Sequence, residues 1–277
     1  DIITSVGVPT NVISLAGSGK TTTLLARLFY MEFEYQIKPY NMLAITFSNS
    51  ASADMSERYI KARKQLDLPG YTPCFKTFHA LFKNLIAINP KYRSIQVVTI
   101  QNYKFDLLKM IRSGNDLLKN TDILDDMNSF RGWLINENKS VDGLIGADEY
   151  YPKQKRSFTL QDYLLVMTEY QKLKDEANAI DFDDMQYICY RELISGDYSD
   201  KIKKEFQETY LQVMIDEYQD ICPIQVSIMD ELIGSNYNSL EAIGDDDQCI
   251  YSFRGGDPKF IIDFEFNYPN AKRYFLS

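Results

Sequence analysis

The stretch that most constrains this chain is Ser14-Leu15-Ala16-Gly17-Ser18-Gly19-Lys20-Thr21, set between the apolar pair Val12-Ile13 and the helical run Thr22-Thr23-Leu24-Leu25-Ala26-Arg27-Leu28-Phe29. A strand that ends in small residues and turns straight into a helix aims backbone N–H groups and the positive end of the helix dipole at one point, where a phosphate is held well. Residues Ala16, Gly17, Ser18, Gly19, Lys20, Thr21 and Thr22 therefore read as a triphosphate cradle. Lys20 serves as a point charge for the β- and γ-phosphates, and the Thr21 hydroxyl as a ligand for the Mg²⁺ that bridges them. The plain alternative is a glycine-rich turn with an exposed lysine. The usual pattern also begins with a glycine where this chain has Ser14.

The rest of the chain alternates in the way such a loop requires. Met42-Leu43-Ala44-Ile45 is a short buried strand by length and flanks, and a second strand candidate runs from about Pro73 to Lys76. A helix follows each, the first to about Leu66 and the second over Thr77 to Ile86. Between about 89 and 179 the strand series stops. Helical patterns at Ile100 to Ile111, around Trp133, and at Leu160 to Ala177 replace it, separated by polar breaks. The strands then resume at Leu211 to Ile215, Leu240 to Ile243 and Lys272 to Leu276, and Asp181 is placed to cap a helix that starts at Phe182. The expected fold class is α/β, a parallel sheet flanked by helices with an inserted all-helical subdomain. The expected division is 1–88 and 180–277 for the sheet domain and 89–179 for the insertion. Within the insertion, Lys153-Gln154-Lys155-Arg156 could touch phosphates or be a solvated face.

Composition narrows the partners. A net charge of −9 excludes a surface basic throughout, so any nucleic acid must be met by a local patch. Cys74, Cys189, Cys222, Cys249 and the single His79 offer no metal-ligand spacing, and the scattered thiols fit a reduced compartment. No apolar run nears the ~20 residues of a membrane span and the first residues carry no leader pattern. The expected location is cytoplasmic, without a membrane partner.

Chemistry is concentrated just past the strand ends. Asp216-Glu217 follows an apolar strand, which suits a division of labour: Asp216 for Mg²⁺, with Thr21, and Glu217 to polarise an attacking water. A helix N-terminus is the bland reading of the same pair. Gln248, past the next strand, is placed to sense a γ-phosphate or is a surface amide. Phe47 and Phe253 lie in polar surroundings beyond strand ends, where stacking on a base is worth ~1–3 kcal/mol; the alternative is that they are core residues.

Taken in order, Ala16-Gly17-Ser18-Gly19-Lys20-Thr21, Thr46-Phe47-Ser48-Asn49, Thr77-Phe78-His79, Asp181-Phe182-Asp183-Asp184, Asp216-Glu217-Tyr218-Gln219-Asp220 with Pro223-Ile224-Gln225, and Gly244-Asp245-Asp246-Asp247-Gln248 running on to Gly255 resemble the N-terminal half of UvrD/Rep/PcrA-type superfamily 1 DNA helicases. The resemblance implies a RecA-like P-loop NTPase domain interrupted by helices, with ATP and Mg²⁺ as cofactors. It implies single-stranded DNA or a single/double-strand junction as partner, met by Phe47, Asn49, Thr77, His79, Tyr251, Phe253 and Arg254, and three-prime to five-prime movement. Lys20, Asp216, Glu217 and Gln248 are then the catalytic group. Three departures stand out: Ser14-Leu15 at the loop entry, Ser50 where lysine is frequent, and Phe253 where tryptophan is frequent. The resemblance also implies an adenine-reading segment ahead of Asp1 and, beyond Ser277, a second RecA-like half whose arginines reach the γ-phosphate. Alone, the chain is then expected to bind nucleotide and DNA weakly, to hydrolyse little ATP and not to unwind. The helicase part of a recombination or defence helicase–nuclease is a related reading, and a non-motor, nucleotide-regulated binding module is the reading from another class.

Overall fold

The computed structural model describes residues 2–15, 17–114, 122–137, 160–248 and 256–276. Six strands form one parallel sheet: β1 (Thr10–Ser14), β2 (Met42–Thr46), β3 (Cys74–Thr77), β6 (Gln212–Ile215), β7 (Leu240–Gly244) and β8 (Lys272–Leu276), in the spatial order β3-β2-β6-β7-β1-β8. The register pairs Ile45 with Ile215, Ile215 with Ala242, and Ile13 with Gly244. Because every pairing is parallel, the carboxyl ends of all six strands share one edge, and the loops that follow them converge there.

Alternation along the strands explains why both faces are covered. Val12, Met42, Ala44, Met214 and Ile243 point to one side, where they pack with Leu24, Leu28 and Met31 of α1 (Lys20–Glu34) and Met55 and Tyr59 of α2 (Asn49–Gln65). Leu43, Ile45, Val213, Ile215 and Ala242 point to the other. There they meet α3 (Phe78–Ile86), and further along the chain α7 (Phe182–Ser195), α8 (Ser199–Thr209) and α9 (Pro223–Ile233). Burying apolar area on two faces at ~25 cal/mol per Å² is what holds such a sheet, and it also explains why the strands read as short apolar runs.

Between the halves of the sheet the chain is mostly helical. A small strand β4 (Gln96–Val97) leads to α4 (Lys104–Gly114), α5 (Asp122–Asn136) and α6 (Leu160–Glu176), and β5 (Ala179–Ile180) closes the segment by pairing in parallel with β4. Two-residue strands leave no period to read, so this clasp was not legible in the sequence. The helices have an apolar cluster of their own, including Leu107, Met127, Phe130, Tyr163 and Val166. The basic cluster at 153–156 lies outside the described residues.

A buried ionic joint fastens these helices to α7. Asp181 caps α7 by accepting from the Asp184 N–H at 2.8 Å, and Asp184 returns the bond to the Asp181 N–H at 3.0 Å. The carboxylates also face cations from the helical segment: Arg131 of α5 reaches Asp181 at 2.8 Å and Asp183 at 3.4 Å and also pairs with Asp184, while Lys174 of α6 meets Asp181 at 2.9 Å and also pairs with Asp184. Burial alone would push the Asp181 carboxyl up, but Arg131 and Lys174 outweigh it and hold the group below its ordinary value. Asp183, part-buried and beside two other carboxylates, is pushed up to about 6, chiefly by desolvation. The expected cap at Asp181 is thus observed, with a second role that its local sequence does not show.

Candidate functional site

The loop after β1 is built by backbone conformation. Gly17 and Gly19 sit at φ +77° and +94°, and a Cβ on either would meet nothing within 4 Å. Left-handed backbone, rather than lack of space, is what demands glycine at both. Gly19 caps α1 and so offers no side chain to the N–H groups of the first turn. Lys20, Thr21 and the exposed Thr22 open that turn. The Ser18 hydroxyl is buried and has no hydrogen-bond partner among the described residues, which is the kind of group an incoming phosphate oxygen satisfies. Ser14, the departure from the usual pattern, is used by the sheet: its Oγ donates to the Gly244 carbonyl at 3.0 Å, tying β1 to β7. Leu15 is exposed, and its N–H donates to the Leu276 carbonyl at 3.3 Å.

Residues far apart in sequence meet opposite this loop. Lys20 Nζ donates to Glu217 Oε2 at 2.7 Å across 197 positions. Glu217 itself has φ +53°, a conformation unusual for a residue with a side chain, placed where β6 runs into a short 3₁₀ turn over Tyr218–Asp220. Asp216 is buried, and its N–H donates to the Ile45 carbonyl at 2.9 Å. Burial, together with the Glu217 charge, pushes its carboxyl up to about 7, against the pull of Lys20 and of the Glu217 N–H. Asp216 makes no ion pair among the described residues.

Two residues outside the expected set join β6 to β7. Gln219, almost fully buried, donates through Nε2 to Glu217 Oε2 at 2.9 Å and accepts through Oε1 from the Asp245 N–H at 3.0 Å. The fit is tight, since a Cβ on Gly244 would lie 2.3 Å from Gln219 Oε1 and 3.1 Å from the Tyr218 nitrogen. Gln248 lies on the 3₁₀ turn Asp246–Gln248 and donates to the Asp245 carboxylate. Helix α1 is anchored from behind by a fully buried pair, Arg27 with Glu241 of β7 at 2.6 Å, and Arg27 also donates to the Ser5 carbonyl at 2.7 Å. Gln219 stands within a motif the sequence did display. Gly244 and Asp245 likewise stand within a quoted motif, whereas nothing in local spacing marks the Arg27–Glu241 pair.

The aromatic candidates line the neighbouring part of the same edge, past β2 and β3. Phe47 is half-buried with its ring edge-on to Phe78 at 5.3 Å, and Asn49 is exposed at the start of α2. Thr77 is buried and caps α3, accepting from the Ala80 N–H at 3.2 Å. His79 lies edge-on to the half-exposed Phe182 at 5.0 Å. Ala16, Tyr251, Phe253 and Arg254 lie outside the described residues. Among the described residues no group of three or more His, Cys, Asp and Glu side chains could hold a metal ion by itself, and no helix is long and apolar enough to cross a membrane.

Residues 1–269 match the family of UvrD/REP helicase N-terminal domains. YjcD of Bacillus subtilis is 30% identical over 271 residues, which cover 97% of this chain and 34% of YjcD. The ATP-dependent DNA helicase PcrA of Staphylococcus aureus is 29% identical over 275 residues, 97% of this chain and 35% of PcrA. A DNA helicase II homolog of Mycoplasma capricolum is 26% identical over 274 residues, 95% of this chain and 36% of that protein. The chain thus spans about a third of the length of the curated relatives it matches.

Proposed function

Since this chain belongs to the UvrD/REP helicase family through its match to the N-terminal domain, we propose that it is the ATP- and single-stranded-DNA-binding part of an ATP-dependent DNA translocase or helicase. The observation that carries the reading is the meeting of Lys20 and Glu217 at 2.7 Å beside the buried, unsatisfied Ser18 hydroxyl and the two left-handed glycines. These groups have the chemistry a triphosphate needs: free N–H donors at a helix start, a hydroxyl lacking a partner, and a cation. Gly17, Ser18, Gly19, Lys20, Thr21 and Thr22, with Ala16, hold the phosphates. Thr21 and Asp216 would be the protein's ligands for Mg²⁺. When bound, the ion neutralises charge on the phosphate oxygens. Glu217 orients and deprotonates the attacking water, and Gln248 is a γ-phosphate sensor tethered at the end of β7.

Single-stranded DNA passes the neighbouring loops, over Phe47, Asn49 and His79, and movement is three-prime to five-prime. Thr77 holds the second of these loops, the one after β3, by capping α3. The separate apolar cluster of the helical segment supports the division into 1–88 and 180–277 for the RecA-like domain and 89–179 for the insertion. Sequence equivalent to the other two thirds of the relatives supplies the second wall of the ATP site. Titration with a fluorescent ATP analogue and Mg²⁺, and with labelled single-stranded DNA, tests the reading. Nucleotide binding that Lys20→Ala abolishes is expected; no binding, or equal binding by both proteins, overturns it.

A further inference from the structure

Glu217 projects from a left-handed backbone position at the end of a strand, and such a residue needs its side chain held if its carboxylate is to act from one place. One holder, Lys20, is itself a phosphate-binding candidate. The other is Gln219. Its amide is trapped between two partners of opposite demand: the Asp245 N–H can only donate, so it fixes the Gln219 oxygen, and the NH₂ group is thereby turned onto the Glu217 carboxylate. Glycine at 244 leaves the room for this, since any side chain there would collide with the amide oxygen. A connected row results, Lys20 to Glu217 to Gln219 to Asp245 to Gln248, crossing from the end of β6 to the end of β7.

We propose that Gln219 is a positioning residue for hydrolysis, a crossbar that fixes the Glu217 carboxylate by one hydrogen bond and registers it to the end of β7 by another. This rests on the reading of Glu217 as the group that activates water. A glutamine that merely satisfies the buried Asp245 N–H is the competing explanation, and the two bonds can be separated by substitution. Gln219→Glu retains an oxygen for the Asp245 N–H and the side chain's size, but replaces the donor that faces Glu217 with an acceptor. Gln219→Leu removes both bonds.

The test compares wild type, Gln219→Glu and Gln219→Leu by Mg-nucleotide affinity and by steady-state ATP hydrolysis with saturating single-stranded DNA, in the protein carrying the full family length. The expected result is a kcat lowered at least about 10-fold in both variants, with KM and nucleotide affinity within about threefold of wild type, because the lost interaction serves the transition state rather than binding. A Gln219→Glu protein with wild-type kcat overturns the crossbar and leaves only the structural role. A parallel loss of affinity and kcat overturns it as well. Failure of wild type to bind nucleotide instead removes the nucleotide site itself. Wild type that binds nucleotide but is indifferent to Glu217→Gln removes the role of Glu217, and with it that of Gln219.

Discussion

At the loop edge of the sheet, Lys20 and Glu217 pair with side chains 15% and 38% exposed, whereas at the joint Arg131 and Lys174 are 8% and 0% exposed and are shared among three carboxylates. Both are rows of charge between distant segments, yet they differ in completeness. Within the joint the cations meet carboxylates on several sides, and the capping box uses what remains of Asp181 and Asp184. Each cluster holds a carboxyl pushed up, Asp183 to about 6 and Asp216 to about 7, but the loop edge also keeps a buried hydroxyl with no partner among the described residues, and its ion pair is part-exposed. Charges that are already satisfied hold a fold together. Incompletely satisfied ones are available to a ligand, and that contrast marks the loop edge as the candidate site.

The contrast can be broken at either end. The largest effect is expected from Arg131→Met, which leaves three carboxylates with Lys174 alone: a loss of about 3–5 kcal/mol in chemical denaturation, with nucleotide affinity nearly intact in whatever fraction remains folded. A similar stability to wild type would show that the joint is dispensable. Lys20→Ala should do the reverse, lowering nucleotide affinity roughly 100-fold while moving the thermal midpoint little, because a part-exposed ion pair adds little stability. A large drop in midpoint with unchanged affinity would exchange the roles assigned to the two clusters.

Asp216→Asn sharpens the comparison through pH. A carboxyl whose value rises on folding from the ordinary 3.8 to about 7 holds its proton more tightly in the folded state. Its contribution therefore makes wild-type stability fall as pH rises through that window, and the asparagine variant should lack this slope and gain several degrees in thermal midpoint above pH 7. Parallel midpoint curves for the two proteins would contradict it. The smallest effect is expected at the aromatic end of the edge. Phe47→Leu keeps an apolar contact with Phe78 but removes the ring, and should weaken single-stranded DNA binding by ~1–3 kcal/mol without changing nucleotide affinity. Unchanged DNA affinity would return Phe47 to the core.

Much of this architecture is legible in the residues. The apolar strands at Met42, Leu211 and Leu240 and the helices α2 and α3 lie within one or two positions of where the residues place them, because buried parallel strands and amphipathic helices leave distinct periods. Helix α1 ends at Glu34, a few residues before the break at Lys38-Pro39. The loop before α1 is legible because glycine takes the left-handed φ values at 17 and 19 most readily. Asp216-Glu217 and Gln248 are visible as polar breaks after apolar strands. The clasp of Gln96 and Val97 with Ala179 and Ile180 is invisible, being too short for a pattern.

The sequence by itself determined the parallel α/β class, the loop that begins α1, the acidic pair after β6 and the carboxylates that open α7. Only the tertiary structure decided which groups those residues face: that Lys20 meets Glu217, that Gln219 bridges to Asp245, that Arg27 is buried against Glu241, and that Arg131 and Lys174 answer the carboxylates at 181–184. The physical reason is common to all four. Backbone conformation and burial periodicity are set by neighbours within a turn or two, whereas a hydrogen bond or ion pair depends on the strand order 3-2-6-7-1-8 and on helix packing, which bring together residues that share no local pattern.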